Sequence, residues 1–222
     1  MIEILYPEIC NLYGDSGNIL LMSKMNLKLT KTLFNDEPYF VKNDVKMIYM
    51  GPTPEDMLEQ IISKLEPYKK RIEELIKNNV YFLFTGNALD IFSKEIILSN
   101  GMKVNGLGLI DVYVTYKERY NTLVLGEGEK PIVGYKSQNS YYKSNEEALF
   151  HLKREYSNNL LEGVRKNNFM GTNLLGPILV LNPLFTKELF KELGYNDDIL
   201  YYDELVKAYQ KRVEEYKTVN LI

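Results

Sequence analysis

The sequence predicts an α/β fold: a mainly parallel, doubly wound sheet carrying an antiparallel strand extension. Three observations lead there. Apolar strand-like runs alternate with helix-period segments three times before residue 93. Residues 80–84, Val-Tyr-Phe-Leu-Phe, form a run too short for a helix and apolar throughout, the pattern of a strand buried on both faces. Beyond Phe92 the texture changes to short strands divided by Gly-, Asn- and Glu-rich turns.

Each element has its reason. Residues 2–6 make a first strand ended by Pro7, and the polar loop 11–18 follows. Ile19, Met22, Met25, Leu29 and Leu33 recur at three- and four-residue spacing, which predicts one helix with an apolar face. A short edge strand at 39–41 and a second strand at 45–50 come next, closed by Gly51-Pro52-Thr53-Pro54. Helical spacing then runs to Asn78, kinked or restarted at Pro67, with the Lys/Arg/Glu mixture of 69–77 as its solvated face. After strand 80–84, Thr85-Gly86-Asn87 turns into a helix beginning at 88–92. Strand, Gly turn and helix make a nucleophile elbow with Thr85 at its apex.

In the extension, 95–98 and 102–104 flank a Ser-Asn-Gly hairpin turn. Strands follow at 110–115, 122–125 and 131–135, a short helix at 146–156 and a strand at 169–173. The end is helical over 186–193, stopped by Gly194, and over 203–216, with Leu205, Tyr209, Val213 and Tyr216 on one side.

Bulk properties narrow the function. At 222 residues, 45% hydrophobic and 26% charged, the chain reads as one soluble globular domain, 1–222. A net charge of −3 offers no field for nucleic acid or an anionic membrane. The first residues carry no signal-peptide pattern and no apolar stretch is long enough to span a bilayer, so a cytoplasmic location is expected. One cysteine and one histidine exclude an internal disulfide and a Cys/His metal cluster; no metal or cofactor is expected.

Several stretches together are similar to one family. Asn11-Leu12-Tyr13-Gly14-Asp15-Ser16-Gly17-Asn18, Gly106-Leu107-Gly108-Leu109-Ile110-Asp111 and Ile132-Val133-Gly134-Tyr135 are three of them. Asn158-Asn159 with Glu162-Gly163, and Gly171-Thr172-Asn173-Leu174-Leu175-Gly176-Pro177-Ile178-Leu179, complete the set. In this order along nearly the whole chain they resemble glutamine amidotransferases of the cobyric acid synthase type. Within that type they look like the small amidotransferase subunits of lipid II isoglutaminyl synthase. The resemblance implies a class I amidotransferase-like fold. It also implies chemistry in which a cysteine thioester releases ammonia from glutamine for an ATP-dependent, Mur-ligase-like partner.

The reacting groups of that family are replaced. Its Cys-Gly-Gly-x-Gln elbow is Thr85-Gly86-Asn87-Ala88-Leu89 here, and its histidine position is Leu175. The turn implied for the oxyanion is Gly51-Pro52-Thr53, where Pro52 has no N–H to give. Gly-Phe-Glu-Asn-His becomes Gly134-Tyr135-Lys136-Ser137-Gln138. A threonine hydroxyl needs an adjacent base, and leucine is none.

The pocket expected is therefore a degenerate one formed by Asp15, Gly51, Thr85, Gly86, Asn87 and Gln138, with no catalytic residue. Asp15 either binds its own turn or contacts a ligand or partner; Asn87 either caps the following helix or lines the pocket. Cys10 reads as a small buried residue and His151 as a surface histidine; a Cys10–His151 pair is the remote alternative. The 18 tyrosines suit half-buried strands or a docking face on the last helix.

Three functions follow. The first is a degenerate subunit that binds or regulates a Mur-ligase-like partner in cell-wall precursor amidation. The second is an active subunit with an unfamiliar nucleophile. The third is a sensor that binds an amino acid without reacting.

Overall fold

The computed structural model describes residues 1–25, 27–154 and 160–218. In chain order the elements are β1 (Ile2–Leu5), α1 (Ser16–Lys24), β2 (Leu29–Thr32), β3 (Met47–Met50), α2 (Leu58–Leu65), α3 (Lys69–Lys77) and β4 (Tyr81–Thr85). Then come β5 (Glu95–Ile97), β6 (Lys103–Asn105), β7 (Val112–Gly126), β8 (Val133–Ser144), β9 (Phe150–Arg154) and β10 (Leu161–Glu162). The chain ends with β11 (Val164–Lys166), β12 (Phe169–Thr172), α4 (Ile178–Leu181), α5 (Pro183–Glu192) and α6 (Tyr202–Thr218).

The first sheet has strand order β11-β12-β4-β3-β1-β2, parallel except for β11. Its four central strands β1, β3, β4 and β12 are buried almost end to end, so one apolar cluster forms on each face. One cluster collects α2, α3 and the Phe82–Phe84–Phe92–Phe169 rings; the other collects α1, α4 and α5. The second sheet runs β10-β9-β7-β5-β6 with β8 against β7, antiparallel except for the β5–β7 pair. The fold class is thus the expected one.

Five local expectations are corrected. Leu29 and Leu33 leave the first helix, which ends at Lys24, and Leu29–Thr32 is strand β2. Thr32 Oγ1 donates to the buried Glu3 carboxylate at 2.6 Å, fastening β2 to β1. Residues 39–41 make a 3-10 turn instead of an edge strand, because the Tyr39 and Phe40 amides donate to the same carboxylate at 2.7 and 2.8 Å. Residues 88–92 belong to a 3-10 stretch (Gly86–Phe92), not an α-helix.

The strands expected at 110–115 and 122–125 fuse into the long strand β7, whose pairing with β8 slips between Tyr116 and Tyr120. The polar Lys117-Glu118-Arg119 is the bulge, where a turn had been the natural reading. The helix at 146–156 is replaced by β9, where Phe150 and Leu152 point inward and His151 and Lys153 outward, a period of two. Tyr156, with Asn158 and Asn159 of the resemblance, lies outside the described residues. The apolar side of α6 is used within the molecule: Tyr209 and Val213 pack on Leu125 and Val133, and the Tyr209 hydroxyl donates to Pro131 O at 2.6 Å.

Candidate functional site

The elbow stands at the carboxyl end of β4, between β3 and β12, where parallel sheets place their ligands. Gly86 follows Thr85 with φ of +59°, and a Cβ there would lie 2.8 Å from Pro52 Cβ and 2.9 Å from Leu175 Cδ2. Glycine is required by both the backbone and the crowding. Above the turn is a cleft of about 80 Å³, lined by Pro52, Gly86, Asn87, Gln138, Asn173 and Leu175 among others.

Thr85 does not line that cleft. Its side chain is fully buried and its hydroxyl donates to Asp15 Oδ1 at 2.9 Å, under the turn. Asp15 also accepts from Asn18 Nδ2 at 3.2 Å and from the Tyr49 hydroxyl. Burial pushes its carboxyl up to about 6, against the pull of the bonds from Tyr49, Thr85 and Asn18. The acid expected at the ligand end of the loop is therefore an internal hub. Gly51 makes room for it, since a Cβ there would be 2.4 Å from Asp15 Oδ2 and 2.5 Å from Cys10 O.

The other groups expected here have their own engagements. Asn87 does not cap the following turn; it closes a two-point amide bridge, accepting from Thr53 N at 3.0 Å and donating to Thr53 O at 2.9 Å. That bridge consumes the one N–H that Pro52-Thr53 could turn toward an oxyanion. Leu175 is buried, its N–H donating to Tyr135 O at 2.8 Å. Gln138 accepts from the Tyr120 hydroxyl at 3.2 Å and donates to Ser140 O.

Cys10 is sealed in the core with its thiol pushed up to about 12, chiefly by burial, while His151 is exposed on β9; the structure does not bring them together. Across the cleft mouth Glu55 accepts from Arg119 and, at 3.2 Å, from Asn139 Nδ2. This ties the bulged β7–β8 hairpin to the loop after β3. Among the described residues no group of three or more His, Cys, Asp or Glu could hold a metal ion, and no helix is long and apolar enough to cross a membrane.

Sequence reasoning passed over several residues. Asp90 is fully buried within the elbow's helical turn, receiving the Tyr116 hydroxyl at 2.9 Å and the Tyr142 hydroxyl at 2.6 Å. Burial pushes its carboxyl up to about 7. An acid inside the otherwise apolar 88–92 run was the available signal. Lys136 and Glu162 form a buried ion pair at 2.5 Å, and both sit in stretches already singled out for resemblance.

The profile of the CobB/CobQ-like glutamine amidotransferase domain matches residues 1–182. The chain belongs to that family. Among curated proteins it is 25% identical to the GatD subunit of the glutamine-hydrolysing lipid II isoglutaminyl synthase of Staphylococcus aureus, over 82% of this chain and 79% of that one. It is also 25% identical to the GatD subunit of Streptococcus pneumoniae, over 97% and 89% of the two chains. A glutamine amidotransferase crystal structure superimposes with a TM-score of 0.60 at 13% identity, over 87% of this chain and 99% of that one. PurLQS from Thermotoga maritima gives 0.57 at 12% identity, with 98% of both chains covered. At such identities the two structures support the fold alone.

Proposed function

We propose that this protein is a degenerate amidotransferase-like subunit that does not hydrolyse glutamine and acts by binding a larger, Mur-ligase-like partner in amidation of a cell-wall precursor. The observation that carries the reading is the fate of the elbow hydroxyl. Thr85 Oγ1 is buried against Asp15 and the glycine turn above it is crowded by Pro52 and Leu175, so the hydroxyl at the family's nucleophile position does not reach the cleft. Acyl transfer requires a nucleophile, a base and oxyanion donors within reach of one carbonyl. Here all three requirements fail together: hydroxyl turned away, leucine for base, Thr53 N–H occupied by Asn87.

The partner is inferred from the GatD relatives, which are by name subunits of lipid II isoglutaminyl synthase. The alternative of an active subunit with an unfamiliar nucleophile is disfavoured by the burial of both Thr85 and Cys10.

The test has two parts. Purified protein, alone and with a Mur-ligase-like protein encoded beside it, is assayed for glutamate release from glutamine; none is expected. The pair is then co-expressed and run by size exclusion, where a joint peak is expected. Glutamate release abolished by Thr85→Ala, or failure to associate, would overturn the respective half of the proposal.

A further inference from the structure

A second cleft, about 430 Å³, lies on the far side of Gln138 and Asn173 from the elbow cleft, so Asn173 lines both. Asn173 is 5% exposed and ends a chain of buried polar groups. Its Oδ1 lies 2.6 Å from the Tyr142 hydroxyl, which lies 2.6 Å from Asp90 Oδ1 and 2.9 Å from Ser140 Oγ. Asp90 Oδ2 accepts from the Tyr116 hydroxyl at 2.9 Å. The backbone of Asn173 is held apart from this, its N–H donating to Glu162 at 2.7 Å, so the amide can turn without moving the chain.

The protons along the chain link its two ends. A phenol donates once, and a carboxylate donates only when protonated. With Asp90 ionised, its Oδ1 receives the one Tyr142 proton. An Asn173 carbonyl facing Tyr142 would then be an acceptor 2.6 Å away with no hydrogen between. The amide must turn over, so that Nδ2 donates to Tyr142 and the carbonyl is left on the cleft side. With Asp90 protonated, the acid donates to Tyr142, Tyr142 donates to the Asn173 carbonyl, and the amide N–H groups are left on the cleft side. Both 2.6 Å separations suit O–H···O bonds and are shorter than N–H···O bonds normally are. The structure therefore holds the protonated arrangement.

The surroundings of Asp90 support a neutral acid. Tyr116 reaches it from β7 and Tyr142 from β8. The field of Glu55, in the turn after β3, opposes its ionisation, although Glu55 is itself paired with Arg119. The elements packed on the elbow turn from the other sides, β4, β12 and α2, bury no charged side chain against it. Burial pushes the carboxyl up to about 7, which puts its change of state near neutral pH.

We propose that Asp90 and Asn173 form a proton-operated switch in the wall between the clefts: protonated Asp90 turns the Asn173 amide N–H groups to the cleft side, and ionised Asp90 turns the carbonyl there. The wall changes from hydrogen-bond donor to acceptor while the fold stays the same. A polar group seated against Asn173 is matched on one side of the change and mismatched on the other. The switch needs neither a reaction at the elbow nor a partner, so it stands or falls apart from the function proposed above.

Nuclear magnetic resonance on uniformly ¹³C,¹⁵N-labelled protein tests it, following the Asp90 carboxyl carbon and the Asn173 side-chain amide from about pH 5 to about pH 9. The two signals should move together with one midpoint. Tyr142→Phe removes the shared hydroxyl; the Asn173 amide should then stay still while Asp90 still titrates, at a higher midpoint for want of a donor to the carboxylate. Asp90→Asn, neutral throughout and with an N–H where the acid has its O–H, should hold the Asn173 amide at its acid-side position. Circular dichroism confirms that each variant folds, and the titration of the unaltered protein decides without them. An Asp90 carboxyl that does not titrate in this range, or an Asn173 amide that stays still while Asp90 titrates in the unaltered protein, overturns the proposal.

Discussion

The two clefts share a partition and differ in what they offer a ligand. The elbow cleft keeps the strand–turn geometry of its family, yet the positions that react in the family are turned inward, paired or replaced: Thr85 bonds to Asp15, Thr53 N–H to Asn87, and Leu175 crowds the turn at Gly86. The second cleft, which Gln138 and Asn173 divide from the first, is roomier at about 430 Å³, and its wall holds the buried Lys136–Glu162 pair. Fold and site are thus separable within one molecule. On the function proposed above, a scaffold shaped for one chemistry closes that site by a few side-chain pairings and keeps its fold.

The largest effect should come from the wall between the second cleft and the core. Lys136→Met would leave Glu162 buried without its cation, a loss of about 3–5 kcal/mol in unfolding free energy. The midpoint of urea unfolding measures it. Glu162→Gln in the same chain should recover much of the loss, because the orphaned charge goes with it. A cost under about 1 kcal/mol would mean the pair behaves like a solvated one.

Acidity gives the next effect. The Asp15 and Asp90 carboxyls are pushed up to about 6 and about 7 by burial, and they meet hydroxyl and amide donors, with no cation in contact among the described residues. Around Asp90 stand Tyr116 from β7, Tyr142 from β8 and, farther off, the Glu55 carboxylate, which raises its pKa further. In the unfolded chain both acids release their protons near pH 4. Between there and pH 7 the folded state holds more protons, so stability falls as pH rises and levels off above neutrality. The melting temperature should drop by roughly 5–10 °C from pH 5 to pH 8. Asp90→Asn should flatten much of that slope; an unchanged slope would remove Asp90 as its source.

The protons also bear on the partition. Tyr142 Oη lies 2.6 Å from both Asp90 Oδ1 and Asn173 Oδ1, and a phenol has one proton. A protonated Asp90 donates to Tyr142, which then donates to Asn173, and both contacts are satisfied. An ionised Asp90 takes that proton, leaving Asn173 to turn its amide over.

Much of the fold was legible in the sequence because period and composition carry it. The buried run before Gly86, the helix spacing either side of Pro67 and the Ser-Asn-Gly hairpin all became the elements they suggested. What went astray depended on partners distant in sequence. Thr32 and the amides of Tyr39 and Phe40 converge on Glu3, and this decides a strand and a turn that local propensity leaves open. The site shows the same division. Resemblance located Thr85, Leu175 and Gly51, but where Thr85 points is settled by Asp15 and Tyr49, and neither contact can be read from spacing. Asn87 looked like a cap because Asn often is one; its Thr53 bridge needed the neighbouring loop in view.

That bridge gives a smaller prediction. Asn87→Ala removes two hydrogen bonds to Thr53 and should cost about 1–2 kcal/mol, with faster amide exchange in residues 51–54. Exchange unchanged there would show that Pro52 and Pro54 hold the loop by themselves.

The smallest expected effect is the most informative about the elbow. Thr85→Cys restores the sulfur nucleophile of the family, yet glutamate release should stay at background. The new thiol would occupy the buried space beside Asp15, where burial and a neighbouring carboxylate both oppose thiolate formation. Leu175 could not take its proton, and Thr53 N–H would still be bonded to Asn87. Adding Leu175→His supplies a base but leaves the oxyanion without its donor, so the double variant should also be silent. Activity in the single variant would show that the thiol can turn into the cleft and find a base unaided, and the elbow would then be one substitution from function.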